Sequence, residues 1–240
     1  MKGKKMIAAL LSALIVLSGC SSMSNTTKGG LIGGGSGAVL GGVIGNLIGG
    51  NATGTIIGAA VGGAVGTGAG VLIGKKMDKA KAAAEAVEGA EVEEVTDANG
   101  LEAVKVTFDS GILFATGKST LQSSAQSSLS DFAANVLIPY ADIDVAIQGY
   151  TDNQGWSNCT AEESAQKNVD LSLQRAQAVS TYLIKQGVPT SQIKSIEGLG
   201  EENPVADNST SAGQAENRRV EIYLYASAEM IAAAEAGTLQ

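Results

Sequence analysis

The sequence predicts an α+β protein in which a mixed β-sheet with helices on one face follows an apolar helical hairpin. Two observations lead to this prediction. Beyond about residue 91 of the 240-residue chain, strand-like segments alternate with segments whose apolar residues recur at helical spacing. Before that point, residues 29–74 contain no charged side chain and hold 19 of the 32 glycines. The two parts are suited to different environments, so each is interpreted separately.

The first twenty residues, MKGKKMIAALLSALIVLSGC, have the pattern of a secretory signal. Lysines precede a short apolar core and then small residues, and the core is too short to cross a bilayer as a stable helix. A membrane anchor that is kept is the alternative. The stretch LSGC resembles the lipobox of bacterial lipoproteins. This resemblance implies that residues 1–19 are removed and that Cys20 carries acyl chains such as palmitate. Because Ser21 rather than Asp follows, it also implies sorting to the outer membrane.

Glycines recur at every fourth position through residues 29–74, in two series separated by a polar turn at 51–53. In lipid the backbone must satisfy its own hydrogen bonds, so helix is the available state, and glycines four apart let two helices approach closely. About 21 residues per series give ~31 Å, one bilayer core. We interpret the run as a transmembrane glycine-zipper hairpin, and it resembles such segments in some bacterial outer-membrane lipoproteins. A flexible linker is the alternative.

Residues 75–90 are alanine-rich and charged, and they are predicted to form a solvated helical spacer. Two membrane crossings would return the chain to the face that holds the lipidated N-terminus, residues 20–28. The spacer and everything after it are therefore expected in the periplasm.

Strand signals are spread through the rest of the chain. Asn99-Gly100 lies between two β-like runs and is a strong hairpin signal. Further strands are predicted in DIDVAIQGY, IKSIEGLG and RRVEIYLYA. The last segment, 227–240, is predicted to be a helical tail that packs on the domain.

Two longer helices are predicted between these strands. The first has an apolar face and Ser119 or Thr120 as its candidate N-cap. The second begins with a capping box, Thr160 and Glu163, and ends at Gly187. The apolar face of the first helix consists of Leu121, Ala125, Leu129 and Phe132.

Five motifs occur in the order and approximate spacing of the OmpA-like C-terminal domain: VTFDSGILFATGKSTL, IQGYTDNQG, NVDLSLQRAQAVSTYLIKQGV, IEGLGEENPVADN and ENRRVEIYL. The resemblance extends over residues 91–226. It implies a sandwich of helices on a mixed sheet, and non-covalent binding of peptidoglycan through the diaminopimelate of its stem peptide.

The resemblance also assigns residues to the site. The free end of diaminopimelate carries an ammonium and a carboxylate, so the site needs a carboxylate and a guanidinium a few ångströms apart. By motif position, Asp152 accepts from the ammonium and Arg175 binds the carboxylate through two parallel hydrogen bonds. Asn168, seven residues before Arg175 and on the same helical face, matches a further pocket position. Arg218 and Arg219 also match pocket positions of the family. Without the motifs, such an Asp would be interpreted as a turn residue and such an Arg as a solvated charge.

The sequence departs from the family pattern near this site. Tyr150 stands where the family usually has His. An insertion, WSNCTAEESAQK, roughly doubles the usual gap between the Asp of the site and the helix. It could cover the site, add contacts through Trp156 or narrow specificity. Cys159, within the insertion, is expected to be a partly buried free thiol. Asp109 also matches the family but is interpreted as a residue that shapes its loop.

Composition narrows the function. The chain has no histidine and a formal net charge of −8, so imidazole catalysis is excluded and nucleic acid is an unsuitable partner. No cofactor, metal site or enzymatic activity is predicted. The predicted function is a lipoprotein that tethers the outer membrane to peptidoglycan. The alternative is an oligomeric pore, or an envelope-assembly component, built through the glycine zipper. A motor stator would need an ionisable residue within the membrane, and residues 29–74 have none.

Overall fold

A five-stranded mixed sheet organises the part of the chain that the computed structural model describes, residues 66–97 and 100–239. The strand order is β1-β2-β5-β3-β4. β3 and β4 are parallel, whereas the other neighbouring strands are antiparallel. The strands are β1 Ala90–Thr96, β2 Glu102–Asp109, β3 Ile143–Gly149, β4 Ile193–Gly198 and β5 Arg219–Ala226.

The longer described helices pack on one face of this sheet. The even-numbered residues of β5 join the main hydrophobic core together with residues of the helices, whereas Tyr223 and Tyr225 lie in a small separate cluster with Ala103 and Ala146. The predicted arrangement of helices on one face is therefore confirmed. The helices are α1 Thr67–Glu85, α2 Ser110–Leu113, α3 Ser123–Phe132 with a π-helical continuation Ala133–Leu137, α4 Ala161–Lys185, the 3₁₀ turn Thr190–Gln192, α5 Ser211–Asn217 and α6 Ala228–Glu235.

The predicted spacer is helical, but it is not solvated. It forms most of α1, which packs against β1, β2 and α6. One stripe of α1 is buried in the main core because its small and apolar residues recur at intervals of three and four. That stripe consists of Ala69, Ile73, Met77, Ala80 and Ala84. Residues 67–74, which the sequence predicted to be the end of the membrane hairpin, lie in this helix together with the first part of the predicted spacer.

The other N-terminal predictions lie outside the described residues. These are the signal peptide, the lipidated Cys20 and residues 29–65 of the hairpin. Within residues 66–97 and 100–239, no helix combines the length and apolar character needed to cross a membrane.

The local signals at turns and caps are mostly confirmed. β1 and β2 form the predicted hairpin, and Gly100 has a φ of 74°. The capping box of Thr160 and Glu163 starts α4, and Gly187 follows its end with a φ of 102°. The N-cap of α3 is Gln122 rather than Ser119 or Thr120. The reason is that Leu121 pairs with Phe114 in an isolated bridge, which keeps the chain extended up to this point.

The register of the sheet defines two opposite edges. One edge contains the ends of β2, β3 and β4. It also contains the starts of β1 and β5. α1 reaches this edge with its C-terminus, because only residues 86–89 separate it from β1. At the middle of α1, Lys76 pairs with Asp142, which precedes β3 at the opposite edge. The N-terminus of α1 therefore points away from the edge where β3 and β4 end.

Candidate ligand-binding site

Two glycines let α4 approach the ends of β3 and β4. A Cβ atom on Gly149 would lie 2.1 Å from the backbone oxygen of Ser172, and one on Gly198 would lie 2.3 Å from the backbone nitrogen of Leu173. The hydroxyl of Ser172 accepts a hydrogen bond from the backbone N–H of Gly200 at 3.0 Å. These contacts fix α4 against the strand ends, where the predicted site residues of the helix meet those of the loop.

Arg175 is the most unusual side chain of α4 because it is a buried cation with a free donor. It is 2% exposed. Its Nε donates to the backbone oxygen of Lys118 at 3.1 Å, and its guanidinium lies 5.4 Å from the ring centroid of Phe114. Its buried Nη1 has no hydrogen-bond partner among the described residues. A buried donor without a partner is costly, so this atom is suited to an acceptor brought by a ligand.

Asp152 and Arg218 complete the charges of the site. They form an ion pair, and the second carboxylate oxygen of Asp152 accepts from the backbone N–H of Gln154 at 3.1 Å. Burial lowers the pKa of Arg175, the charge of Arg218 lowers it further, and Asp152 offsets part of this effect. Arg175, Arg218 and Asp152 together carry two positive charges and one negative charge, and this excess positive charge favours an anion.

Asn168 is buried on the same side of α4, but its side chain is occupied by the insertion. Its Oδ1 accepts from the indole Nε1 of Trp156 at 2.8 Å, and its Nδ2 donates to the backbone oxygen of Gln154 at 3.3 Å. In this structure Asn168 holds the entry loop beside the site, which is a different contact from the direct ligand contact that the motif implied.

Arg219 makes a different set of contacts from Arg218. Its guanidinium lies 3.8 Å from the ring centroid of Tyr150, and its Nε donates to Glu221 at 2.7 Å. Its other nitrogens donate to backbone oxygens of Asn217 and Asn203. Together with Glu221 it lines a cavity of about 480 Å³ on the sheet face opposite the helices. Arg218 is the C-cap of α5 and Arg219 is the first residue of β5, so the two arginines of the motif lie in different elements and make different contacts.

Two neighbouring residues shape the loops. Asp109 caps α2 and accepts from the backbone N–H of Gly111, which confirms its expected role in its loop. Asn217 was missed by the sequence analysis, although it lies in the ENRR motif. It is fully buried. Its Oδ1 accepts from the backbone N–H groups of Val205 and Ala206, and its Nδ2 donates to the backbone oxygen of Ala206. These bonds fix the loop before α5.

The insertion contributes both a loop and the first turns of α4. Cys159 is a free, partly buried thiol, as expected. Its sulfur lies 3.0 Å from the Nζ of Lys167, and this ammonium lies 5.7 Å from the ring centroid of Trp156. Within the described ranges 66–97 and 100–239, no cluster of acidic or cysteine side chains could hold a metal ion.

Two protein-family models and several known proteins match parts of this chain. The OmpA family model matches residues 113–218, and the YMGG-like Gly-zipper model matches residues 1–78. Probable lipoprotein YiaD of Escherichia coli (strain K12) is 42% identical over 119 residues, which cover 50% of this chain and 47% of YiaD. Peptidoglycan-binding protein ArfA of Mycobacterium tuberculosis is 47% identical over 81 residues, 34% of this chain and 22% of ArfA.

A solved structure supports the fold. The crystal structure of a MotB-like protein from Desulfovibrio vulgaris matches with a TM-score of 0.52 and 25% sequence identity. The match covers 63% of this chain and 92% of that one. By contrast, the matched region spans less than half of the length of the two relatives.

These matches also bear on the class of protein. YiaD is named as a probable lipoprotein and ArfA as a peptidoglycan-binding protein, and none of these matches is named as an enzyme. This agrees with the prediction that the chain is not an enzyme. Residues 113–218 therefore resemble OmpA family domains, and residues 1–78 resemble YMGG-like Gly-zipper segments.

Proposed function

We propose that this chain is an outer-membrane lipoprotein that binds peptidoglycan non-covalently, through diaminopimelate, and so tethers the outer membrane to the wall. The observation that carries the proposal is the buried Nη1 of Arg175, which has no partner in the described structure. The name of ArfA, a peptidoglycan-binding protein, supports the same ligand for the matched region.

The chemistry of diaminopimelate fits the charges of the site. Its terminal carboxylate would accept from Nη1 of Arg175 and gain from the excess positive charge of Arg218. A carboxylate and a guanidinium form short, charge-assisted hydrogen bonds that are about twice as strong as neutral ones. The ammonium of the ligand would donate a hydrogen bond to Asp152. The two carboxylate oxygens of Asp152 can accept further hydrogen bonds beyond those from Arg218 and Gln154.

The direction of α1 supports a tether. The site lies at the edge where β3 and β4 end, and the N-terminus of α1 points away from that edge. Lys76 lies nine positions after Thr67, so the chain enters α1 about 13 Å beyond the Lys76–Asp142 pair. A wall ligand and a membrane anchor would then attach at opposite ends of one packed domain.

The anchor itself rests on the sequence. Residues 1–19 would be the cleaved signal, Cys20 the lipidated residue, and the glycine series before α1 the membrane segment. The Gly-zipper match over residues 1–78 is consistent with this division. Two acyl chains give stable anchoring, whereas a single chain gives marginal binding, so the lipid would suffice even without the hairpin.

The test is co-sedimentation of the full chain, in a mild detergent, with purified sacculi that contain diaminopimelate. The unmodified chain is expected to bind, whereas Arg175→Ala is expected to weaken binding by at least about 30-fold. The reason is that truncating one partner of a buried, hydrogen-bonded charge pair costs ~2–5 kcal/mol. Asp152→Ala should also abolish binding. Lys185→Ala, which removes an exposed cation at the other end of α4, is the matched control.

A second arm tests the diaminopimelate itself. Sacculi in which lysine replaces diaminopimelate keep the ammonium and lose the carboxylate, so their binding should fall to the level of the Arg175→Ala variant. Equal binding of both kinds of sacculi would exclude the carboxylate as the recognised group. Unchanged binding by Arg175→Ala, with the circular dichroism spectrum intact, would exclude the site.

A further inference from the structure

The insertion places an aromatic side chain beside the proposed peptide site. Trp156 is held at two points on α4. Its backbone N–H donates to the hydroxyl of Ser164 at 2.9 Å, and its indole Nε1 donates to Asn168 at 2.8 Å. Asn168 is 4% exposed and also bonds the loop at Gln154, whose own N–H contacts Asp152. A short chain of hydrogen bonds therefore connects the indole with the carboxylate of the site.

The ring of Trp156 is exposed although its polar atoms are satisfied. The residue is 38% exposed, which is unusual for a side chain so firmly fixed. Its N–H groups are both used inside the protein, so its exposed surface offers only the apolar ring and the negative face of the π-system. Lys167, 5.7 Å from the ring centroid, is the nearest cation described. Such a fixed, exposed ring is suited to the C–H face of a sugar, whose hydroxyls and amide can remain in water.

The spacing between Asn168, which holds the indole, and Arg175 is close to the length of a stem peptide. Asn168 and Arg175 lie seven residues apart on one face of α4, which corresponds to ~10 Å. In a stem peptide, two residues separate the sugar-bound end from diaminopimelate, and each extended residue spans about 3.3–3.6 Å. One peptide could therefore place its diaminopimelate at Arg175 while its sugar lies over Trp156.

We propose that Trp156 forms a saccharide subsite, which binds the N-acetylated amino sugar that carries the stem peptide. This inference rests on the proposed function, because it takes diaminopimelate at Arg175 as the second contact. The chain would then recognise a muropeptide, with sugar and peptide together, in preference to the peptide alone.

The experiment compares three probes on the full chain in detergent: a stem tripeptide ending in diaminopimelate, the same tripeptide attached to its disaccharide, and the disaccharide alone. Affinity is measured by calorimetry. Trp156 is the only tryptophan of the chain, so its fluorescence reports the subsite directly. We expect the sugar-bearing peptide to bind about 10-fold more tightly than the free tripeptide, which corresponds to ~1.4 kcal/mol. The emission of Trp156 should shift with the sugar-bearing probe and much less with the tripeptide.

Variants separate stacking from a structural role. Trp156→Ala should reduce the affinity for the sugar-bearing peptide to that for the tripeptide, while the tripeptide affinity stays within about 2-fold. Trp156→Phe keeps a ring but loses the hydrogen bond to Asn168, and it should keep most of the preference. Ile184→Ala is the matched control, because Ile184 is 37% exposed on the far end of the same helix.

Each remaining outcome has a definite meaning. If Trp156→Ala weakens both peptide probes equally, the indole only positions the loop, and the saccharide subsite is excluded while the proposed function stands. If the unmodified chain binds both peptide probes with equal affinity, the subsite is excluded as well. If neither peptide probe binds, the proposed function fails, and the subsite fails with it.

Discussion

Replacing Ile73 by Ala tests whether α1 belongs to the folded domain. Ile73 is fully buried, in a segment that the sequence alone predicted to be the end of a membrane hairpin. Truncating a buried Ile to Ala removes its transfer free energy and leaves a cavity, at a total cost of ~2–5 kcal/mol. With a urea m-value of about 2 kcal/mol/M for a domain of this size, the unfolding midpoint should fall by roughly 1–2.5 M.

The assay is urea unfolding of the full chain in a non-ionic detergent, followed by the fluorescence of Trp156. This residue lies in the insertion beside the candidate site, far from the replaced side chain, so the probe reports cooperative loss of the whole domain. Lys79→Ala is the control in the same helix, because Lys79 is exposed and alanine is a good helix former. Its effect should stay within about 0.5 kcal/mol. An Ile73→Ala midpoint equal to that of Lys79→Ala would refute the packing of α1 on the core.

Two further predictions concern the stability of the domain. Gly149→Ala should destabilise the domain by ~1–3 kcal/mol or more, because the new Cβ would lie 2.1 Å from the backbone oxygen of Ser172. The control is Gly68→Ala, whose Cβ would meet no atom within 4 Å. It should be neutral or stabilising in the same urea assay. Burial raises the pKa of Asp144 to about 6; Lys194 opposes this shift and Glu229 adds to it. The folded state therefore binds more protons than the unfolded state between about pH 4 and 6. The stability that protonated Asp144 contributes is fully present below pH 4 and is lost as the pH rises through 6. Asp144→Asn should therefore flatten this part of the urea midpoint–pH curve, and an unchanged slope would contradict the shift.

Much of the domain could be predicted from the sequence because its signals are local. The Asn99-Gly100 turn, the Thr160 capping box and the alternation along β5 each depend on a few neighbouring residues, and the structure contains the hairpin, the helix start and the two-faced strand that they indicate. The role of α1 was not predictable in this way. Alanines and charges are typical of a solvated helix, and only the packing of α1 on β1, β2 and α6 explains why Met77 and Ala80 are buried.

The candidate site shows the same division between local and spatial information. Motif order assigned Arg218 and Arg219 together, yet Arg218 follows α5 and Arg219 begins β5. Arg218 pairs with Asp152, whereas Arg219 contacts Tyr150 and Glu221. The boundary between α5 and β5 therefore falls between the two side chains. The hydrogen bond between Trp156 and Asn168 was not predictable from the motif, because the two residues are brought together by the fold of an insertion that has no counterpart in it. A family pattern therefore identifies which residues can meet a ligand, whereas the inserted residues decide which of them are free to do so.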